Sequence, residues 1–170
     1  MCIRDSRNND STKWDPCSPN FPTPSDCKFH QNILNQSCGN QYQWLHKALK
    51  NISKDDWIIV AGHHPANQID NLDLVSLLEK KNIDLYLNGH AHELRYYQIN
   101  NKGCWITTGA GSMVSTDSSL KKSYKYYTYK DINFNSLWNQ TIAGFTIHKF
   151  DRNYSKLDTS FIDFMGKIIY

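Results

Sequence analysis

The sequence predicts an α/β protein built on a mixed sheet, with antiparallel strands towards the carboxyl terminus. Three observations carry this. Residues 57–61 (Trp-Ile-Ile-Val-Ala) and 83–87 (Ile-Asp-Leu-Tyr-Leu) are short apolar runs separated by a segment of helical spacing, the pattern of a βαβ unit. Residues 94–99 and 104–108 flank Asn100-Asn101-Lys102-Gly103, a hairpin turn signal. Three further strand candidates, 141–150, 157–164 and 167–170, close the chain.

Taken in order, the opening Met-Cys-Ile-Arg-Asp-Ser lacks the apolar centre of a signal peptide, and residues 1–6 read as a non-native leader. Residues 7–39, rich in Asn, Ser, Pro and Cys, have no sustained apolar period and read as loop. Order is expected from residue 40 to residue 170. Asn40 with Gln43 resembles a capping box, and Trp44, Leu45, Ala48, Leu49 and Ile52 recur at helical spacing. The strand at 57–61 is continuously apolar and closed by Gly62, which suits burial on both faces. Asp70 or Asn71 can cap a second helix carrying Leu72, Leu74, Val75, Leu77 and Leu78, ended by Asn82 in a left-handed turn. Residues 112–135, rich in Ser, Lys and Tyr, read as a surface excursion.

Bulk properties exclude several classes. At 170 residues with 39% hydrophobic content the chain can fill one core. A formal charge of +3 with scattered lysines leaves no footprint of a nucleic-acid binder. No apolar run approaches the roughly 20 residues that span a bilayer. Cys2, Cys17, Cys27, Cys38 and Cys104 show no paired CxxC spacing. Loop disulfides among Cys17, Cys27 and Cys38 would fit an oxidising compartment, and which of them pair stays open. Sequons at Asn35, Asn51, Asn139 and Asn153 point the same way, although so Asn-rich a chain also produces sequons by chance.

The chemistry concentrates in histidines. The first strand delivers His63, His64 and Pro65, and the second delivers Gly89, His90, Ala91 and His92. In a βαβ unit both clusters fall at one edge of a parallel sheet, where open α/β sheets bind ligands. Neutral imidazole is a good metal ligand, and Gly62 and Gly89 allow the tight turns that aim the rings. An HxH pair alone is a weak signal; the convergence of two clusters is the specific one. The alternative is a set of buried histidines satisfied by backbone carbonyls. His30, His46 and His148 read as structural, and Gly109-Ala110-Gly111 could be taken for a phosphate-cradling loop, but no helix signal follows it.

These residues carry a family resemblance. Residues 43–111 resemble the second half of the metallophosphoesterase superfamily, most closely the tartrate-resistant, purple acid phosphatases. The matching pieces are QWLHKAL, DWIIVAGHHP, NIDLYLNGHAHELRYYQ and GCWITTGAGS, and AGFTIHKF to MGKIIY is similar to the closing strands. Two family motifs are present, VxxH as Val60-Ala61-Gly62-His63 and GHxH as Gly89-His90-Ala91-His92. The resemblance implies half of a four-layer α/β/β/α sandwich and a dinuclear metal centre, Fe(III) with a divalent Fe, Zn or Mn. His63 and His90 would bind the divalent ion and His92 the ferric ion. It further implies hydrolysis of phosphate monoesters by metal-activated hydroxide, on a phosphorylated small molecule or phosphoprotein, in a secreted or lumenal, lysosome- or vacuole-like setting. The oligomeric state is left open.

The aspartate, asparagine and tyrosine ligands of the family come from DxG, GDxxY and GNH motifs that do not occur in this sequence. The chain is therefore expected to be the carboxyl-terminal half of the enzyme, poorly folded and inactive by itself. The family's further histidine after the Gly-His-Tyr-Pro segment is also missing; His64 or Asp70 could act in its place as the catalytic acid. Helix capping by Asp70 and packing by His64 are the structural alternatives. Rival functions are a phosphodiesterase of the same superfamily and a catalytically silent, membrane-associated scaffold of the same fold.

Overall fold

The computed structural model describes residues 39–69, 72–114 and 132–170. Asp70, Asn71, His30, the tyrosines of 124–129 and every cysteine except Cys104 lie outside the described residues. Helix α1 is Gly39–Lys50 and helix α2 is Leu72–Lys81. The strands are β1 (Ile59–Ala61), β2 (Leu85–Asn88), β3 (Leu94–Ile99), β4 (Lys102–Thr108), β5 (Phe134–Gln140), β6 (Gly144–Phe150) and β7 (Leu157–Asp163).

Five strands form one mixed sheet in the order β1-β2-β4-β3-β5. Strands β1, β2 and β4 are parallel, with Ile59 opposite Leu85 and Leu85 opposite Cys104, and β3 runs antiparallel to both β4 and β5. The predicted βαβ unit is present. The helix inside it ends as expected: Asn82 adopts φ 56°, its N–H reaches the Glu79 carbonyl at 2.9 Å, and Ile83 N–H reaches Leu78 at 3.4 Å. These are the paired bonds of a Schellman stop. The β3–β4 turn is tighter than the sequence suggests, because Asn100 and Asn101 (φ 51° and 58°) form a two-residue primed turn.

The sheet sorts side chains onto two faces. Tyr86, Tyr97, Ile99 and Trp105 pack with Leu49 of α1 and Val75 and Leu78 of α2. Leu85, Leu94 and Ile106 point the other way onto Phe161 of β7. A second sheet, the antiparallel pair β6–β7, covers that face. Helices, mixed sheet and second sheet thus make α, β and β layers, in agreement with the expected class.

Three expectations are corrected. Strand β1 is not buried on both faces: Ile58 is buried, but Ile59 is 45% exposed, because β1 stands at the sheet edge and the helices cover one side. Strand β5 falls partly in the segment read as a surface excursion and partly before the first closing strand. Its alternation is broken by a register shift: Tyr96 pairs with Trp138 and Tyr97 with Ser136, leaving Leu137 extra. Phe134 and Trp138 therefore lie on opposite faces although four residues apart, which hides the period-2 signal. Finally, residues 167–170 form no named strand. They return along β7 through a bridge between Ile162 and Ile168 and through Ile169 N–H to Phe161 O at 2.9 Å.

Candidate metal centre

The two glycine turns that leave β1 and β2 are joined by a backbone hydrogen bond, Gly89 N–H to His63 O at 2.9 Å. Neighbouring parallel strands thus present their first histidines side by side. His90 adopts a left-handed backbone (φ 55°), rare for a residue with a Cβ, which aims its ring at the other cluster. His90 Nδ1 lies 3.2 Å from His63 Nε2. The His64 ring centroid is 4.1 Å from that of His90 and 4.8 Å from that of His63. The ligand nitrogens of His63, His64 and His90 all fall within 4.8 Å of one another.

His92 stands outside this group. Two short turns, Ala91 N–H to Gly89 O at 2.6 Å and Glu93 N–H to Ala91 O at 2.8 Å, carry the chain past it. It remains near enough for its charge to act on His90. Asp70 lies outside the described residues. The structure therefore brings together His63, His90 and, beyond the resemblance-derived ligand set, His64.

Burial favours the neutral form of the His64 and His90 rings. His64, 6% exposed, is lowered to about 4 by burial first and then by His90 and His63. Burial, then His63 and His92, also lowers His90. Neutral imidazoles whose lone pairs converge fit a metal ion, which requires deprotonated nitrogen.

A polar network that sequence reasoning missed supports the turns. Tyr86 Oη donates to the His64 carbonyl at 2.9 Å, and Ala66 N–H donates to Tyr97 Oη at 3.0 Å. Asn88 Nδ2 reaches Tyr97 Oη at 3.3 Å and the Ile106 carbonyl at 2.9 Å, while Thr107 Oγ1 donates to Asn88 Oδ1 at 2.7 Å. Burial pushes Tyr86 up to about 12 and raises Tyr97, so both hydroxyls keep their protons. The available signal was polar side chains at inward strand positions; the partners depend on register. Gly62 packs against Tyr86, where a Cβ would collide with the hydroxyl, and Gly109 lies against the Ala91 carbonyl with no room for a side chain. The Gly109 loop thus braces the His90–His92 turn from behind. Beyond that turn, Arg95 Nη2 pairs with Glu93 Oε1 at 2.8 Å, both side chains largely buried. His46 is exposed on α1, and His148 bonds Thr146 and Thr159.

A mixed sheet thus presents clustered histidines at the carboxyl ends of adjacent parallel strands, a group that could hold a metal ion. The chain matches the calcineurin-like phosphoesterase family over residues 6–94, just over half its length, and belongs to that family. It is similar to tartrate-resistant acid phosphatase type 5 of Rattus norvegicus, with 27% identity over 76% of this chain and 40% of that protein. Purple acid phosphatase 17 of Arabidopsis thaliana is 36% identical over 49% of this chain and 32% of its own length. The chain thus spans well under half of the curated relatives it matches. Among solved structures, GAP50, described as the anchor in the inner membrane complex of Plasmodium, shares the fold. Its TM-score is 0.59 at 24% identity, covering 86% of this chain and 44% of that one.

Proposed function

We propose that the protein is a phosphatase of the purple acid phosphatase type, hydrolysing phosphate monoesters at a dinuclear metal centre, and that residues 40–170 form the carboxyl-terminal half of its catalytic domain. The observation that carries this reading is the 3.2 Å approach of His63 Nε2 and His90 Nδ1 from the ends of two parallel strands. These two residues would hold the divalent ion, Fe, Zn or Mn, and His92 would serve the ferric ion beside it. When bound, such ions supply the Lewis acidity and positive charge that activate water and offset the charge of a phosphoryl group. The chain's own contribution is positioning. The Gly89–His63 bond fixes the two turns relative to each other, and Tyr86 and Tyr97 hold the backbone of residues 64–66.

His64 can transfer a proton or ligate a metal, but one nitrogen cannot do both, and its place among the other rings favours ligation. A phosphorylated small molecule or phosphoprotein would be the substrate, and the sequons at Asn51, Asn139 and Asn153 support a secreted or lumenal glycoprotein. A second reading is a silent scaffold. It is favoured by the similarity to the Plasmodium anchor over most of this chain. The test is a chromogenic monoester assay at acid and neutral pH on the full-length protein, with metal analysis. Two bound ions and a loss of at least ~100-fold in turnover on His90→Ala are expected. A folded, metal-free protein without turnover overturns the phosphatase reading and favours the scaffold.

A further inference from the structure

We infer that Asn139 carries an N-linked glycan that caps the free edge of the five-stranded sheet. This rests on the secreted or lumenal reading and goes beyond it, because it gives one sequon a defined place and a physical task.

Strand β5 is the last in the sheet order, and among the described residues no strand pairs with its outer side. A free edge offers unpaired N–H and C=O groups to any other extended chain, and soluble proteins block that pairing with charges, proline, bulges or a cover. Residues 134–140 (Phe-Asn-Ser-Leu-Trp-Asn-Gln) contain no charge and no proline. The bulge protects only the middle of the strand, where the register shifts between the Tyr96 and Tyr97 pairings. Past it the ladder is regular again, with Trp138, Asn139 and Gln140 opposite Tyr96, Arg95 and Leu94. Leu137, 45% exposed beside this regular end, adds an apolar contact for any strand that docks there.

Asn139 stands in that regular end. Trp138 turns onto Phe161, which sends Asn139 to the other face of the sheet, where it is exposed. Thr141 completes the Asn-Gln-Thr sequon. The other two described sequons are placed differently: Asn51 follows the end of α1 and Asn153 lies in the β6–β7 turn. A strand that pairs with β5 must bring its backbone to about 4.8 Å, and a bulky, hydrated oligosaccharide on an exposed residue of β5 fills that approach. The donor is a lipid-linked oligosaccharyl diphosphate. The bond from Asn139 Nδ2 to the anomeric carbon forms, the bond from that carbon to the diphosphate oxygen breaks, and the amide nitrogen loses one proton.

The test uses the full-length protein secreted from insect cells. Amidase release of N-glycans in heavy-oxygen water turns each occupied Asn into labelled Asp, which peptide mass spectrometry locates, and label is expected at Asn139. Asn139→Gln and Thr141→Ala each remove the sequon, the second keeping Asn139, and circular dichroism checks that both fold. In analytical ultracentrifugation both should self-associate at concentrations at least ~10-fold lower than the parent. Endoglycosidase trimming of the folded parent should act in the same direction without any substitution. Adding Leu137→Lys to Asn139→Gln puts a charge on the edge and should restore the parent's behaviour, whereas Asn153→Gln alone should leave it unchanged. Label at Asn51 or Asn153 but not at Asn139 overturns the assignment, and so does unchanged self-association in the folded variants and the trimmed parent. No label at any sequon overturns it together with the secreted reading. The phosphatase reading is judged separately, by monoester turnover, which neither sequon variant should change.

Discussion

Glu93 and Arg95 show how one residue depends on its neighbour. Burial raises the Glu93 carboxyl above its usual range, and the Arg95 guanidinium, 2.8 Å away, works against that. Removing one member of a buried pair strands the other, whereas removing both can be nearly neutral. Arg95→Met is therefore expected to cost about 3–5 kcal/mol in urea unfolding. Adding Glu93→Gln should restore much of the loss, and a purely additive double variant would sink this account. Tyr97→Phe probes the other end of the site. Ala66 N–H and Asn88 Nδ2 lose their shared acceptor, at a cost of about 1–3 kcal/mol. Ala66 and Asn88 lie in the segments that carry His63, His64 and His90, so the same variant should broaden His63 and His64 NMR signals while Trp105 stays ordered.

At the scale of the element, the β6–β7 pair contains a pH-sensitive group far along the chain from the metal cluster. Burial lowers His148 below its ordinary 6.5, and its two ring nitrogens bond Thr146 on the same strand at 3.0 Å and Thr159 across the pair at 2.9 Å. Because the folded-state value is depressed, the unfolded chain takes up the proton first on acidification. Its stability contribution is fully present above pH 6.5 and is lost as the pH falls through the lowered folded value. The urea midpoint should thus drop between pH 7.5 and 5.5, and His148→Asn should make that drop smaller, with the lowered His64 and His90 supplying the remainder. An equal drop in both proteins would place the acid sensitivity elsewhere.

Among the described residues, backbone contacts between turns tie the sheets together at the histidine end. Gly89 bonds His63, Gly109 braces Ala91, and Gly144 N–H meets the Ala110 carbonyl at 3.1 Å, linking the second sheet to the same corner. A metal held there ties β1 to β2 and stabilises only the folded state. Zn(II) at 100 times its dissociation constant should add about 2.7 kcal/mol, seen as a rise in Tm that chelation reverses. A Tm indifferent to both zinc and chelator would show that no ion bridges the two turns.

The sequence by itself determined the parts that depend on neighbouring residues. Helix periods, the Asn82 stop, the βαβ unit and the placement of His63, His90 and His92 after strands all follow from local spacing, glycine and turn chemistry. It also identified the two family motifs. Only the tertiary structure decided which strands meet and which rings converge. The insertion of β4 between β2 and β3, the bulged β5, the exposed outer face of β1 and the Tyr86, Asn88, Tyr97 and Thr107 supports all depend on register between distant segments. So does the choice of His64 over His92 as third member of the cluster. Periodicity tells a side chain which face it takes, but a partner is chosen by contacts between residues far apart in the chain, whose pairing no local pattern encodes.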